Sequence, residues 1–340
     1  MRIKEIDEIK LIKRLSKNFR LDETVIKGPG DDAAVLEWTK DRYMLFTCDM
    51  TIENVHFDLK KAAPFQIGWK ALGRNISDIG AMGGVPKYAV VSLGISPALN
   101  ISVADGICKG IKSLADKFGV NIVGGDMAKS EKIIIDISLI GQVEKKKLTL
   151  RSGARVGDSI FVTGTLGRSI KRKHLNFMPR VNTARQILSS FKIDSMIDIS
   201  DGLALDLNRV LEASSVGSYI YESALPLSEP ANSVNPVREL SGSLTADADF
   251  KPPSALRDNR RLKSEAFSNG VNNALYDGED YELLFTMGTK EARRFIRTTL
   301  NKTKTPITLI GGIVSKKEGC KIIRKSGKKE SLKVKGYLHF

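Results

Sequence analysis

Aspartate recurs along this chain wherever the backbone turns beside apolar sequence. Asp31 and Asp32 follow a Gly-Pro-Gly turn and lead into an apolar run (GPGDDAAVL), and Asp49 follows YMLFTC. Asp78 sits in NISDIG, one helical turn from Asn75, and Asp126 follows Val123-Gly-Gly. Asp198 and Asp201 flank Ser200 in MIDISDGL. Each has an ordinary explanation when taken alone: a solvated turn, an exposed helix residue, or a helix N-cap for Asp201. Together they occupy the strand ends and Gly-rich turns where open α/β sheets build their sites. If several converge, their repulsion requires cations. Oxygen donors without His or Cys select hard ions, so Mg²⁺ is the natural choice. Several Mg²⁺ ions in turn imply a substrate with several negative charges, such as a nucleoside triphosphate.

The elements that must position these acids read as two α/β halves. In the first, strands are expected at Tyr43–Cys48, Lys87–Ile95, Asn121–Val123 and Ile133–Val143. Apolar residues near 3.6 spacing mark helices over Phe65–Met82 and Ile101–Phe118. In the second half, strands are expected at Ser159–Thr163, Met196–Ile199, Tyr219–Tyr221, Tyr281–Met287 and Ile307–Val314. Helices are expected near Asn182–Ser190, Leu203–Ala213 and Lys290–Leu300. The polar stretch EKKKLTLRSGARVGD supplies the boundary, giving domains at 1–148 and 149–340. Residues 226–273 lack periodicity and are rich in Ser, Asn, Pro and charge, so they read as a flexible insertion.

Composition narrows the class. At 340 residues the chain suits two domains of ordinary size. The three cysteines are scattered, which points to a reducing cytoplasm rather than to disulfides or zinc, and three histidines exclude a His-rich metal site. The N-terminal MRIKEIDEIKLIKRL is charged throughout and has no signal-like apolar core. Much of the formal charge of +15 is local: Lys290–Lys335 holds 15 Lys/Arg against 3 Asp/Glu, with little aromatic interleaving. A solvated basic face explains this best, attraction of small polyanionic substrates comes second, and specific nucleic-acid binding third. Familiar nucleotide motifs are absent. GGDMAKS lacks the Gly that a Walker A loop needs before its Lys, and no dinucleotide or protein-kinase signature occurs.

At these residues the sequence resembles the thiamine-monophosphate kinase family, within the ATP-binding superfamily typified by aminoimidazole-ribotide synthetase and selenophosphate synthetase. The resemblance runs in order through GPGDDAAV, TCDMTIENVHF, KALGRNISDIGAMGG, VGGDMAKS, TLRSGARVGDSIFVTGTLG, MIDISDGLALDLNRV, GEDYELLF and GYLHF. It covers nearly the whole chain outside the 226–273 segment. It implies a homodimer whose N-terminal α/β domains pair strands into a barrel, followed by a second α/β domain, with ATP and metals in the cleft between the domains. It implies Mg²⁺ ligands at Asp32, Asp49, Asp78, Asp126, Asp198 and Asp201, with Thr47 and Cys48 contributing through side chain or carbonyl. Gly125, Asp126, Arg151 and Ser200 would contact ATP, and His56 and Glu279 the thiamine phosphate. Cys48 stands where the family has a hydroxyl residue, Val334 where an aromatic faces the thiamine rings, and Leu338 where Asp is usual. The implied activity is ATP-dependent phosphorylation of thiamine monophosphate in the cytoplasm, with no nucleic-acid or membrane partner. Two alternatives stay open at this point: a sister ATP-dependent activity, and a relative that binds nucleotide or metal without catalysis.

Overall fold

The computed structural model describes residues 2, 5–6, 8–171, 173–228, 264–300 and 303–337. They form two compact units. One comprises the chain up to Leu148 with His174–Arg185, and the other comprises Thr149–Lys173 with Gln186–Tyr337. Among the described residues, no helix is long and apolar enough to cross a membrane.

The first unit is built on a six-stranded sheet. Its strands are β1 (Val25–Lys27), β2 (Ala34–Glu37), β3 (Arg42–Ile52), β4 (Val85–Ile95), β5 (Asn121–Lys129) and β6 (Ile134–Glu144), in the order β1-β2-β3-β6-β4-β5. Only the β4–β5 pair is parallel. Two helices, α2 (Pro64–Ala81) and α3 (Ile101–Phe118), stand with it; the short α1 (Glu8–Ser16) precedes, and α4 (Val181–Leu188) comes later in the chain. Pro64 pre-sets the first turn of α2, and the Gln66 side chain accepts from the Ala63 N–H at 3.0 Å. Asn100 caps α3 by accepting from Ser102 N–H at 2.9 Å. A Cβ on Gly68 would overlap the Ile107 carbonyl, and one on Gly110 the Phe65 carbonyl. These two glycines therefore let α2 and α3 cross backbone to backbone. Ile67, Leu72, Ile76 and Ile79 of α2 are fully buried, as are Ile135, Ile137 and Leu139 of β6. Only one face of the sheet is covered in this way: Phe46, Met50, Tyr88 and Val90 remain exposed.

The second unit is a seven-stranded sheet in the order β13-β12-β9-β11-β7-β10-β8. Its strands are β7 (Ser159–Thr163), β8 (Ser195–Ile199), β9 (Gly217–Tyr221), β10 (Glu282–Met287), β11 (Ile307–Val314), β12 (Cys320–Ile323) and β13 (Lys329–Ser331). On one face Ile160, Val162, Ile197, Ile199 and Leu284 share a core with Leu203, Leu207 and Val210 of α5 (Leu203–Ser214). On the other, Phe161 stacks on Phe285 at 5.3 Å, and Phe295 of α7 (Thr289–Thr298) meets Phe161 edge-on at 5.6 Å. Strands covered on both faces read as continuous apolar runs, which is why their sequences were legible.

Three expectations need correction. β3 runs on through Asp49 to Ile52, and β5 runs through Gly124-Gly125-Asp126 to Lys129, so both aspartates lie within strands rather than after them. The glycines and charge hide the continuation because pairing with β4 and β6, not propensity, sustains those strands. The expected 226–273 insertion overlaps a helix, α6 (Ser264–Tyr276), whose Val271, Ala274 and Leu275 join the core; 229–263 lie outside the described residues.

At the end of β6, Glu144 accepts two bonds from the Arg185 guanidinium, at 2.6 and 2.8 Å, and Arg185 also donates to the Gly83 carbonyl. The guanidinium holds the Glu144 carboxyl at about 2, against an ordinary 4.5. A depressed carboxyl stabilises the fold above its unfolded pKa, and that stability drains as pH falls through the folded value. Glu144→Gln is therefore expected to cost about 1–2 kcal/mol at pH 7, after allowing for a carboxylate partly open to water. The deficit should shrink between pH 4.5 and about 2, as read by urea unfolding at stepped pH.

Candidate active site

In the first unit, Gly30 turns the chain with φ of +112°, a conformation glycine adopts without strain. Asp31 then bonds back to the Asp32 N–H at 3.3 Å and lies 3.9 Å from Lys27, so it shapes the turn. Asp32 is buried beyond the turn, and Asp78 comes up beside it from α2; their carboxylate oxygens lie within 4.8 Å of each other. Thr47 is buried on β3 and donates its hydroxyl to Asp78 Oδ2 at 2.6 Å. Asp32, Asp78 and Thr47 thus form one oxygen-only group, a donor set suited to a hard divalent ion.

The remaining expected ligands of this unit are placed differently. Asp49 Oδ1 accepts from Arg74 Nη2 at 3.0 Å, and Arg74 also donates to the Met50 carbonyl at 2.7 Å. Strand alternation turns Cys48 away from Thr47 to the opposite face, where its thiol bonds to Asp136 at 3.1 Å. Burial and Asp136 both push that thiol above its usual pKa, so it stays protonated. Asp126 lies on the exposed edge strand β5, paired with Ser92. Gly125 precedes it where a Cβ would overlap the Val91 carbonyl, so close strand approach requires glycine there.

His56 is buried, and its Nδ1 accepts the Ile52 N–H at 3.0 Å. That bond places the proton of the neutral ring on Nε2, which is then a donor. The His56 carbonyl accepts from Lys70 Nζ at 2.7 Å, and Lys70, fully buried on α2, also meets His174 Nδ1 at 2.9 Å. Lys70 and Arg74 were not singled out in the sequence; their signal was helical spacing to Asp78 on one α2 face.

In the second unit, Asp198 is buried at the end of β8, paired with Leu283. Asp201 lies 2.6 Å from the Arg209 guanidinium, which also reaches Asp206 at 2.6 Å. Asp206 accepts from the Asp201 N–H at 2.9 Å and is entirely buried. Burial first, and the Asp201 charge second, push the Asp206 carboxyl up to about 7 despite Arg209. Asp201 is thus held by a cation of the chain itself, through two residues the sequence reading missed. Arg151 carries its charge near both Asp206 and Arg209, and its carbonyl accepts from Ser214 Oγ at 3.3 Å. The Ser200 carbonyl accepts from the Glu279 N–H at 2.6 Å, and Glu279 itself has a left-handed φ of +60°. Val334 is exposed in the segment after β13.

Removing the guanidinium that bonds both Asp201 and Asp206 leaves two neighbouring carboxyls, one of them fully buried, without the partner they share. Arg209→Met should destabilise the protein by about 2–4 kcal/mol in urea unfolding, and adding Asp206→Asn should recover part of the loss.

Residues 30–143 match the family described as AIR synthase related protein, N-terminal domain. Thiamine-monophosphate kinase of Bacillus subtilis is 30% identical over 98% of this chain and 100% of its own length. That of Aquifex aeolicus is 33% identical over 88% of this chain and 92% of its own. A solved structure, AaThiL complexed with AMPPCP and TMP, superposes with a TM-score of 0.76 at 30% identity, covering 100% of this chain and 99% of that one.

Proposed function

The chain belongs to the thiamine-monophosphate kinase family, and from that membership we propose that it transfers the γ-phosphoryl group of ATP to thiamine monophosphate, giving ADP and thiamine diphosphate. The observation that carries this reading is the full-length match to a structure complexed with an ATP analogue and TMP.

The nucleophile is an oxygen of a phosphate monoester, whose second pKa near 6 leaves it largely ionised at neutral pH. A strong general base is not needed. The obstacle is electrostatic, because two polyanions must approach in line; at ~4 Å each unit-charge repulsion is on the order of 4 kcal/mol at an effective dielectric near 20. His56 answers part of this with an Nε2–H that donates to the acceptor phosphate, fixed by the Ile52 N–H behind it. Arg151 offers a forked donor to ATP phosphate. Asp32 and Asp78 fit Mg²⁺ by their oxygen-only donor set and close approach, with Thr47 orienting Asp78. When bound, Mg²⁺ neutralises phosphate charge and that of the leaving oxygen. Asp49 and Asp201, which the resemblance implies as Mg²⁺ ligands, each also hold an arginine and so place Arg74 and Arg209.

Wild-type protein with ATP and Mg²⁺ should form thiamine diphosphate, identified by mass, from thiamine monophosphate and not from free thiamine. Nucleotide binding without any phosphorylated thiamine would move the assignment to a sister activity. Asp32→Asn and Asp78→Asn should each lower turnover by at least about 100-fold while leaving far-UV circular dichroism unchanged; near-normal turnover would remove these residues from the mechanism.

The open face of the six-stranded sheet supports a homodimer. Phe46, Met50, Tyr88 and Val90 expose apolar surface, and β5 presents a nine-residue edge carrying Ile122, Val123 and Met127. Long apolar edges of this kind are ordinarily covered, and a second copy of the same face is the occupant the family fold implies. Sedimentation should give twice the chain mass, and Met50→Glu with Val90→Glu should give the monomer. A monomeric wild type would contradict the dimer.

A further inference from the structure

Glu279 and its neighbours hold unusual backbone. Arg168, Glu279 and Tyr281 all have left-handed φ, at +63°, +60° and +49°. Such conformations cost non-glycine residues on the order of 1 kcal/mol or more each and persist only where surrounding contacts enforce them. The enforcing contacts are visible. The Glu279 and Tyr281 N–H groups donate to the carbonyls of Ser200 and Ile199 at 2.6 and 2.8 Å. Asp280, wholly buried between them, receives the Gly167 N–H at 2.9 and 3.0 Å and the Ser169 hydroxyl. Glu282, also buried, takes Thr163 Oγ at 2.7 Å and Lys173 Nζ at 2.9 Å. The loop after β7 is thereby clamped to the loop before β10.

Arg168 is the residue this clamp presents. Its N–H donates to the Asp277 carboxylate, and its carbonyl accepts from Lys171 N–H at 3.0 Å, so its backbone is fixed on both sides. Its Nε is buried without a hydrogen-bond partner, and its charge acts on the Asp277 carboxylate. An immobilised arginine with a buried, unused N–H is suited to a bidentate anion. Register says which end of the sheet it occupies. β10 lies between β7 and β8, with Leu284 opposite Val162 and Glu282 opposite Ile199. The Arg168 loop therefore flanks Glu279 on the side away from Ser200 and Asp201.

We propose that Arg168 binds the phosphate monoester of the acceptor, beside Glu279. This rests on the kinase reading above. Arg168 adds a positive charge where the resemblance had placed only His56 and Glu279 at that phosphate, a counter-charge that Glu279 cannot supply.

The test is calorimetric binding of thiamine monophosphate to wild type, Arg168→Gln, Arg168→Lys and Lys171→Gln, alongside turnover of each. Arg168→Gln should weaken thiamine monophosphate binding at least tenfold with ATP affinity changed less than twofold, at an unaltered melting temperature. Arg168→Lys should recover part of the loss, and Lys171→Gln, on the exposed side of the same loop, should bind like wild type. Unchanged affinity in Arg168→Gln, or an equal loss in Lys171→Gln, would overturn the assignment. Wild-type turnover is read separately: no thiamine diphosphate from wild type removes the kinase reading, whereas normal wild-type turnover with an unaffected Arg168→Gln removes only this proposal.

Discussion

Two carboxylates held within 4.8 Å of each other, one buried and one half-buried, repel by about 3 kcal/mol or more at an effective dielectric near 20. Much of the first unit exists to hold that arrangement. Asp32 is fixed by a glycine turn with Asp31 and Lys27 behind it, and Asp78 by a helix locked against its neighbour through Gly68 and Gly110. Thr47 spends its hydroxyl on Asp78 rather than on the backbone of its own strand. Fold stability alone gives no reason to bring like charges together at such a place. A shared cation does.

Helix α2 is the common scaffold. Along one stretch it carries Lys70 under the His56 carbonyl, Arg74 against Asp49, and Asp78 beside Asp32. The expected phosphate donor, the expected ligand and their supports are thus spaced by helical geometry, so a shift of α2 would disturb all of them at once. The second unit solves a similar problem with its own cation. Arg209 lies between Asp201 and Asp206 and leaves a carboxyl raised to about 7 in the core.

The sequence made the helices and the doubly covered strands legible, because continuous apolar runs and 3.6 spacing report burial directly. It also marked Asp32, Asp78 and Asp198, whose acidic side chains in apolar surroundings have no role in packing. It did not show that Asp49 and Asp201 each meet an arginine, since Arg74 and Arg209 are brought to them by folding. The extents of β3 and β5 were hidden because long-range pairing sustains them through Gly and Asp. Strand alternation turns the Cys48 side chain to the other face from Thr47, which leaves the carbonyl as the oxygen Cys48 can offer a cation. Arg168 left no local signal, because its constraint comes from Asp277 and Asp280, more than a hundred residues away.

The central claim is that Asp32 and Asp78 stand together to share a cation. Thermal unfolding of wild type and Asp78→Asn, each with and without Mg²⁺, tests it most directly. Without the ion, Asp78→Asn should melt at or above wild type, because a repulsion has been removed. Added Mg²⁺ should raise the wild-type midpoint and leave the variant where it was. Equal shifts in both proteins, or none in wild type, would contradict the account.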